Sequence, residues 1–111
     1  MAVRTTLLAS GRRTDATLAV VYVCPDGTTT ILKDVTVFNL SSSATLDLLI
    51  AMDAGPFNQT PWFEAALPPR TRVHVETWSV LLPAMEVAIR GDVDGSLNYW
   101  LSGTELDGVA P

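Results

Sequence analysis

The chain has 111 residues, enough for one domain with a two-layer core that needs neither a disulfide nor a metal to fold. Seven Lys and Arg residues stand against 12 Asp and Glu residues, and the net charge of -5 argues against nucleic acid as a partner. The single cysteine excludes an internal disulfide, no apolar run is long enough to span a bilayer, and the N-terminal "LLA" is too short for a signal peptide.

Short segments rich in Val, Thr, Leu and Ile alternate with turn residues along the chain, which is typical of an all-β protein. In the first part, a period of two predicts strands over 3–10, 18–24 and 29–40, the last with a change of alternation near Lys33-Asp34. We predict that the second and third strands pair across the turn 25–28, "PDGT", because proline and glycine favour its central positions.

The middle of the chain holds the segment "SSSATLDLLIAMDAG", which permits two interpretations. Leu46, Leu48, Ile50 and Met52 share one face of a strand, whereas a helix could be capped by Ser43 and ended by a glycine. We favour the strand because the neighbouring segments are all strand-like.

Residues 55–69, "GPFNQTPWFEAALPP", break this rhythm with four prolines and three aromatic residues. We predict a long loop insert with one short edge strand over 62–66, since proline cannot serve a central strand. The core is then not expected to bury all of Phe57, Trp62 and Phe63, and we predict that these three form a contact surface with an adjacent subunit.

The last third alternates again, and we predict strands over 71–82, 85–91 and 97–102. The polar face of the first carries Arg72, His74, Glu76 and Trp78. Together these elements predict one domain over 1–111, an antiparallel β-sandwich of seven to nine strands that is jelly-roll-like or immunoglobulin-like.

The stretch "GDVDGSLNYW", residues 91–100, could be a cation loop or a hairpin turn. A helix-loop-helix calcium loop that begins at Asp92 would need a glycine at its sixth position and a glutamate at its twelfth, and both are missing. We therefore predict that Asp92 and Asp94 lie in a hairpin turn that requires no ion. A surface calcium held by these residues and Glu105 is the alternative.

Catalytic chemistry has little basis in this sequence. His74 is the single histidine and lies on the polar face of a strand, and no serine has a G-x-S-x-G surrounding. Cys24 ends the apolar run "LAVVYVC" and is predicted to be buried and inert. No C-x-x-C or H-x-x-x-H spacing occurs. We predict no catalytic residue, no cofactor and no metal, and a protein that is not an enzyme.

The three tryptophans allow a carbohydrate-binding or adhesion module as an alternative, because exposed aromatic rings stack on sugars. Trp78 and Trp100 lie on predicted strands, where core or sheet-face positions are more common. Trp62 lies in the proline-rich segment. A sugar-binding function predicts an exposed, coplanar aromatic pair.

Several segments follow one another in an order that is similar to small β-sandwich structural proteins of tailed bacteriophages. They are "VYVCPDGTTTILKDVTVFN", the strand "TLDLLIAM", "ETWSVLLPAMEVAI" and the closing "GSLNYWLSGTELDG". The resemblance extends over about 18–108. This sequence departs from the pattern at 82–85, "LPAM", and in the insert at 55–69.

The resemblance implies a minor tail or tail-tip protein, with a head decoration protein as the alternative. The expected partners are other virion proteins and further copies of the chain, in a trimer or a six-fold-related ring, with contact to a host surface glycan as a further option. It also implies synthesis in the host cytoplasm and a final location in the virion.

Overall fold

A computed structural model describes residues 2–13, 19–53, 60–90 and 97–107 of the chain. In these ranges the chain is all-β and forms eight strands. They are β1 Ala2–Arg13, β2 Ala19–Val23, β3 Thr28–Asn39, β4 Leu46–Asp53, β5 Thr60–Leu67, β6 Arg72–Leu81, β7 Glu86–Arg90 and β8 Leu97–Asp107. The segment around Ile50, for which strand and helix competed, is therefore a strand, as predicted.

The strands form two antiparallel four-stranded sheets, which pack as a sandwich. Sheet A has the order β1-β8-β3-β6, and sheet B has the order β2-β7-β4-β5. Among the described strands, β4 and β5 are the only consecutive pair within one sheet. Such alternation between sheets over eight strands is the arrangement of a jelly roll, and it differs from an immunoglobulin sandwich, which keeps consecutive strands together.

Two predicted strand pairings are wrong for this reason. The turn 25–28 joins β2 in sheet B to β3 in sheet A, so it crosses between the sheets instead of closing a hairpin. It is nevertheless a turn, with Gly27 at a φ of 70° and the Thr28 amide donating to the Pro25 carbonyl. The strands on either side of 91–96 also belong to different sheets. Asp92 and Asp94 themselves lie outside the described residues.

The core lies between the two sheets and follows the predicted parity closely. Alternate residues of β3 point inward on either side of Lys33-Asp34, and Val35, Val37 and, in β8, Leu101 are fully buried. Sheet B contributes the buried face predicted for β4, with Leu46, Leu48 and Ile50. Burial of this apolar surface is the main term that favours the folded chain.

At each end of the sandwich, buried polar side chains form hydrogen bonds with neighbouring groups. At one end, the amide of the fully buried Asn39 donates to the carbonyls of Ala44, Leu67 and Pro68. At the other end, the Tyr22 hydroxyl lies 2.8 Å from both Thr30 Oγ1 and Glu105 Oε2. Unpaired polar groups would be costly at these depths, so both networks fix the positions of the strand ends.

The segment 55–69 is more regular than predicted where it is described. Strand β5 occupies Thr60–Leu67 and forms the edge of sheet B beside β4. Its register slips between Ile50 and Ala51 of β4, so Trp62 is the extra residue of a bulge. A proline in β5 is compatible with this position because an edge strand has one unpaired side. The edge strand predicted over 62–66 is present, and it extends from Thr60 to Leu67.

Candidate functional site

The residues predicted to form a contact surface divide into two groups. Phe57 lies outside the described residues. Trp62 and Phe63 lie on β5, where both are partly buried and pack against the core, and their rings are 6.4 Å apart at an angle of 49°. Phe63 is paired with the buried Ile50. The sandwich therefore uses part of each ring for its own stability, and only the remaining surface is open to a partner.

The edge strand of sheet A exposes a second apolar group, which the sequence did not single out as a surface. Trp78, Val80 and Leu82 are exposed to 73%, 54% and 55%, and they alternate along β6 and the turn that follows. We call these three residues the β6 stripe. Such a row beside an edge with unpaired backbone groups is a typical place for contact with another chain.

Within the described ranges, β6 pairs with β3 on one side and with no strand on the other. Lys33 of β3 places its Nζ 5.2 Å from the centre of the Trp78 ring, which holds the indole over the sheet. The β6 stripe lies on the edge strand of sheet A, and Trp62 lies on β5, the edge strand of sheet B.

The outer face of sheet A also carries an open depression of about 290 Å³, lined by Thr36, Phe38, Arg72 and Trp100. The register explains this set, because Trp100 and Thr36 are paired across β8 and β3, and Phe38 is paired with Arg72. Trp78 and Trp100 share this face but lie on strands that β3 separates. The aromatic ring pair formed by the described residues is the tilted Trp62–Phe63 pair, not the coplanar exposed pair that sugar stacking predicts.

A His–carboxylate cluster lies beside this depression. His74 Nε2 is 2.8 Å from Asp34 Oδ1, and Ser102 Oγ donates to Asp34 Oδ2 at 3.2 Å. Glu76 is the residue paired with Asp34 across β3 and β6. One ligand atom from each of Asp34, His74 and Glu76 lies within 4.8 Å of the other two.

A β-bulge brings this cluster together. The register of β3 slips between Leu32 and Asp34 against both of its neighbours, where the sequence showed a change of alternation. Against β8, Lys33 is the extra residue of β3, and it turns Asp34 toward the outer face; against β6, the extra residue lies in β6 itself. The alternation in the sequence predicts that His74 and Glu76 share a polar face, but no sequence signal identifies β3 as the neighbouring strand, since Asp34 lies 40 positions before His74.

The cluster is not arranged for nucleophilic catalysis. In a catalytic triad the histidine stands between the hydroxyl and the carboxylate, so that it can take the hydroxyl proton. Here the carboxylate of Asp34 stands between Ser102 and His74. The other candidate nucleophile, Cys24, is buried, and its Sγ lies 3.3 Å from the carbonyls of Thr28 and Leu81. Its predicted burial is confirmed.

No protein-family model matches the chain, and the search of curated proteins gives no match either. Among solved structures, the chain is similar to a protein in the structure of infectious bursal disease virus, Gx strain, with 12% sequence identity and a TM-score of 0.45. The similarity covers 94% of this chain and 32% of that protein, so the chain spans about a third of its length. A score this low does not establish a shared fold. In the described residues no helix has the length and apolar character needed to cross a membrane.

Proposed function

We propose that this protein is a non-enzymatic structural subunit of a virion, a minor tail or tail-tip protein of a tailed bacteriophage. The observation that carries the proposal is the β6 stripe, an exposed apolar row on an unpaired edge strand. A subunit that works by surface contact needs such a region, and its neighbours in a particle would cover it.

Two further features support this function. The segments from "VYVCPDGTTT" to the closing "GTELDG" occur in the order found in the resembling phage proteins. Double-sheet jelly rolls of eight strands are also a common architecture of viral capsid and lectin domains. This second point is an analogy at the level of the fold, and it supports a structural role without specifying the place in the particle.

The proposed partners are other virion proteins and further copies of the chain, in a trimer or a six-fold-related ring. Closed symmetry uses one surface repeatedly, which suits a subunit with an exposed apolar row such as the β6 stripe. The β6 stripe would supply that surface, and the exposed part of Trp62 on β5 is the second candidate contact.

The first test is the protein content of purified particles. Mass spectrometry should find the chain in virions at a copy number that is a multiple of three. Gold-labelled antibody should bind at the tail tip, whereas labelling over the head would assign it to decoration. A chain that is absent from particles but abundant in infected cells would overturn the proposal.

The second test addresses the contact surface in the isolated protein. The double variant Trp78→Ala, Val80→Thr should shift the mass measured by light scattering toward the monomer. The matched control is Val23→Thr on β2, which is 47% exposed on the opposite side of the sandwich. Equal assembly of the wild type and both variants would show that the β6 stripe is not the contact.

A further inference from the structure

The outer face of sheet A brings together three side chains that can bind a metal ion. Asp34 of β3 and His74 and Glu76 of β6 offer one imidazole nitrogen and two carboxylate oxygens, all within 4.8 Å of one another. They come from two neighbouring strands, so their separation is set by the ladder between β3 and β6.

The charges in this cluster favour a cation. Asp34 and Glu76 are directly opposite each other in the register, and like charges in that position destabilise a sheet. Lys33, the single lysine of the chain, lines the same depression as Asp34 and Glu76, with its ammonium 5.2 Å from the centre of the Trp78 ring. A divalent ion between the two carboxylates would replace their repulsion by two attractive contacts.

The surroundings hold the carboxylate of Asp34 in a fixed orientation. Ser102 of β8 donates to Asp34 Oδ2, which leaves Oδ1 directed at His74 Nε2, 2.8 Å away. Hydrogen bonds of this kind to the second oxygen commonly orient a carboxylate that binds a metal. The bulge at Lys33 against β8, which turns Asp34 outward, is a feature that is frequent beside functional sites.

We propose that Asp34, His74 and Glu76 bind a divalent first-row transition ion, with Zn²⁺ as the best match. Imidazole suits zinc, and three protein ligands with water in the fourth position form a familiar open zinc site. Zinc ligand atoms at about 2.0 Å from a tetrahedral ion lie roughly 3.3 Å apart. Because His74 and Glu76 are exposed, rotation of their side chains can close the widest separation of 4.8 Å.

The bound ion would connect β3 to the edge strand β6, at the part of β6 that precedes the β6 stripe in the sequence. Since only the folded chain places the ligands together, binding would stabilise the fold by mass action. At free Zn²⁺ of 100 times the dissociation constant, the melting temperature should rise by roughly 10 °C. This inference concerns the outer face of sheet A and does not depend on the proposed place in a virion.

The test uses the full chain without a histidine tag and titrates it with ZnCl₂ in a calorimeter. We expect saturable binding of one ion per chain. Because His74 is the single histidine, its ring signals in an NMR spectrum report the site alone, and Co²⁺ should shift or broaden them first. A Co²⁺ absorption spectrum should lack a thiolate band, which separates this site from binding at Cys24.

Substitutions distinguish Zn²⁺ binding at this site from Zn²⁺ binding elsewhere on the chain. His74→Ala and Glu76→Gln should each weaken Zn²⁺ binding by more than about 10-fold, and Ser102→Ala by about 10-fold through the orientation of Asp34. The control is Glu64→Gln, an exposed carboxylate on sheet B that should leave binding unchanged. The proposal would be overturned if no saturable Zn²⁺ binding occurs up to 1 mM, which is about 100 times a dissociation constant on the order of 10 μM. Equal Zn²⁺ affinity of His74→Ala and the wild type would also overturn it.

Discussion

Replacement of Gly103 by alanine tests the strand order of the sandwich directly. Gly103 lies in β8, between β1 and β3, and it is paired with Leu32 of β3. A methyl group on its Cα would overlap the carbonyl oxygen of Ile31, a backbone atom that cannot turn aside. Relief requires β8 to move away from β3, which loosens the ladders on both sides.

The size of the effect follows from two opposing contributions. Alanine restricts the unfolded chain and by itself would stabilise the protein by about 0.4–1 kcal/mol. Overpacking in a well-packed interior costs about 1–3 kcal/mol, and a backbone clash lies at the upper end of that range. We expect a net loss of about 2 kcal/mol in the free energy of unfolding, which lowers the melting temperature by roughly 10 °C.

Gly11→Ala is the matched control. Gly11 lies in β1 and is paired with Tyr99 of β8, and its added methyl group would meet the outer end of the Tyr99 side chain. A side chain can rotate, so we expect a change within about 1 kcal/mol. Urea unfolding followed by tryptophan fluorescence measures both variants. If Gly103→Ala is as stable as the wild type, β8 and β3 do not approach each other in this register, and the derived sheet order is wrong.

Four other outcomes are expected. Burial, together with the neighbouring Glu105 carboxylate, raises the pKa of Tyr22. Above pH ~10 unfolding therefore releases a proton, and the stability of the protein should fall as the pH rises. In thermal melts, Tyr22→Phe should reduce this alkaline loss of stability. Asn39→Ala should cost about 2 kcal/mol or more, measured by urea unfolding, because three carbonyls lose their donor. A thiol reagent should label Cys24 only at the rate of unfolding, and rapid labelling would contradict its burial. The double variant Trp62→Ala, Phe63→Ala should lower the stability of the protein, because both rings pack against the core. The predicted subunit contact requires in addition that the variant assembles less than the wild type under conditions in which it is folded.

The sequence predicts strands such as β3 and β6 well because buried and exposed residues alternate along them. A period of two reports burial on one side, and this signal depends only on the residues of the strand itself. It identified the inward faces of β4 and β6 and the irregularity at Lys33. This periodicity does not identify which strands pair with each other, because two strands that bury a face in the same core need not be neighbours in a sheet.

The same limit explains the two wrong hairpins and the missed His–carboxylate cluster. Gly27 and the Asp-Gly at 94–95 are turn signals in the sequence, and such signals do not show whether the flanking strands pair or lie in different sheets. Asp34 and His74 are neighbours only because β3 lies beside β6. A site built across a ladder of distant strands is therefore invisible until the strand order is known.

The strand order also explains why one side of this sandwich is suited to contact with other chains. On the side of β1 and β2 the two sheets contact each other at their edges. The edge strands on the other side are β5 and β6, and β6 keeps one row of unpaired backbone groups within the described ranges. Proteins commonly protect such edges with charged residues, and the first half of β6 carries Arg72 and Glu76, with the polar His74 between them. Its second half carries Trp78 and Val80 instead, so protection ends where the apolar surface begins, and a partner that covers β6 would be expected to seat on that half.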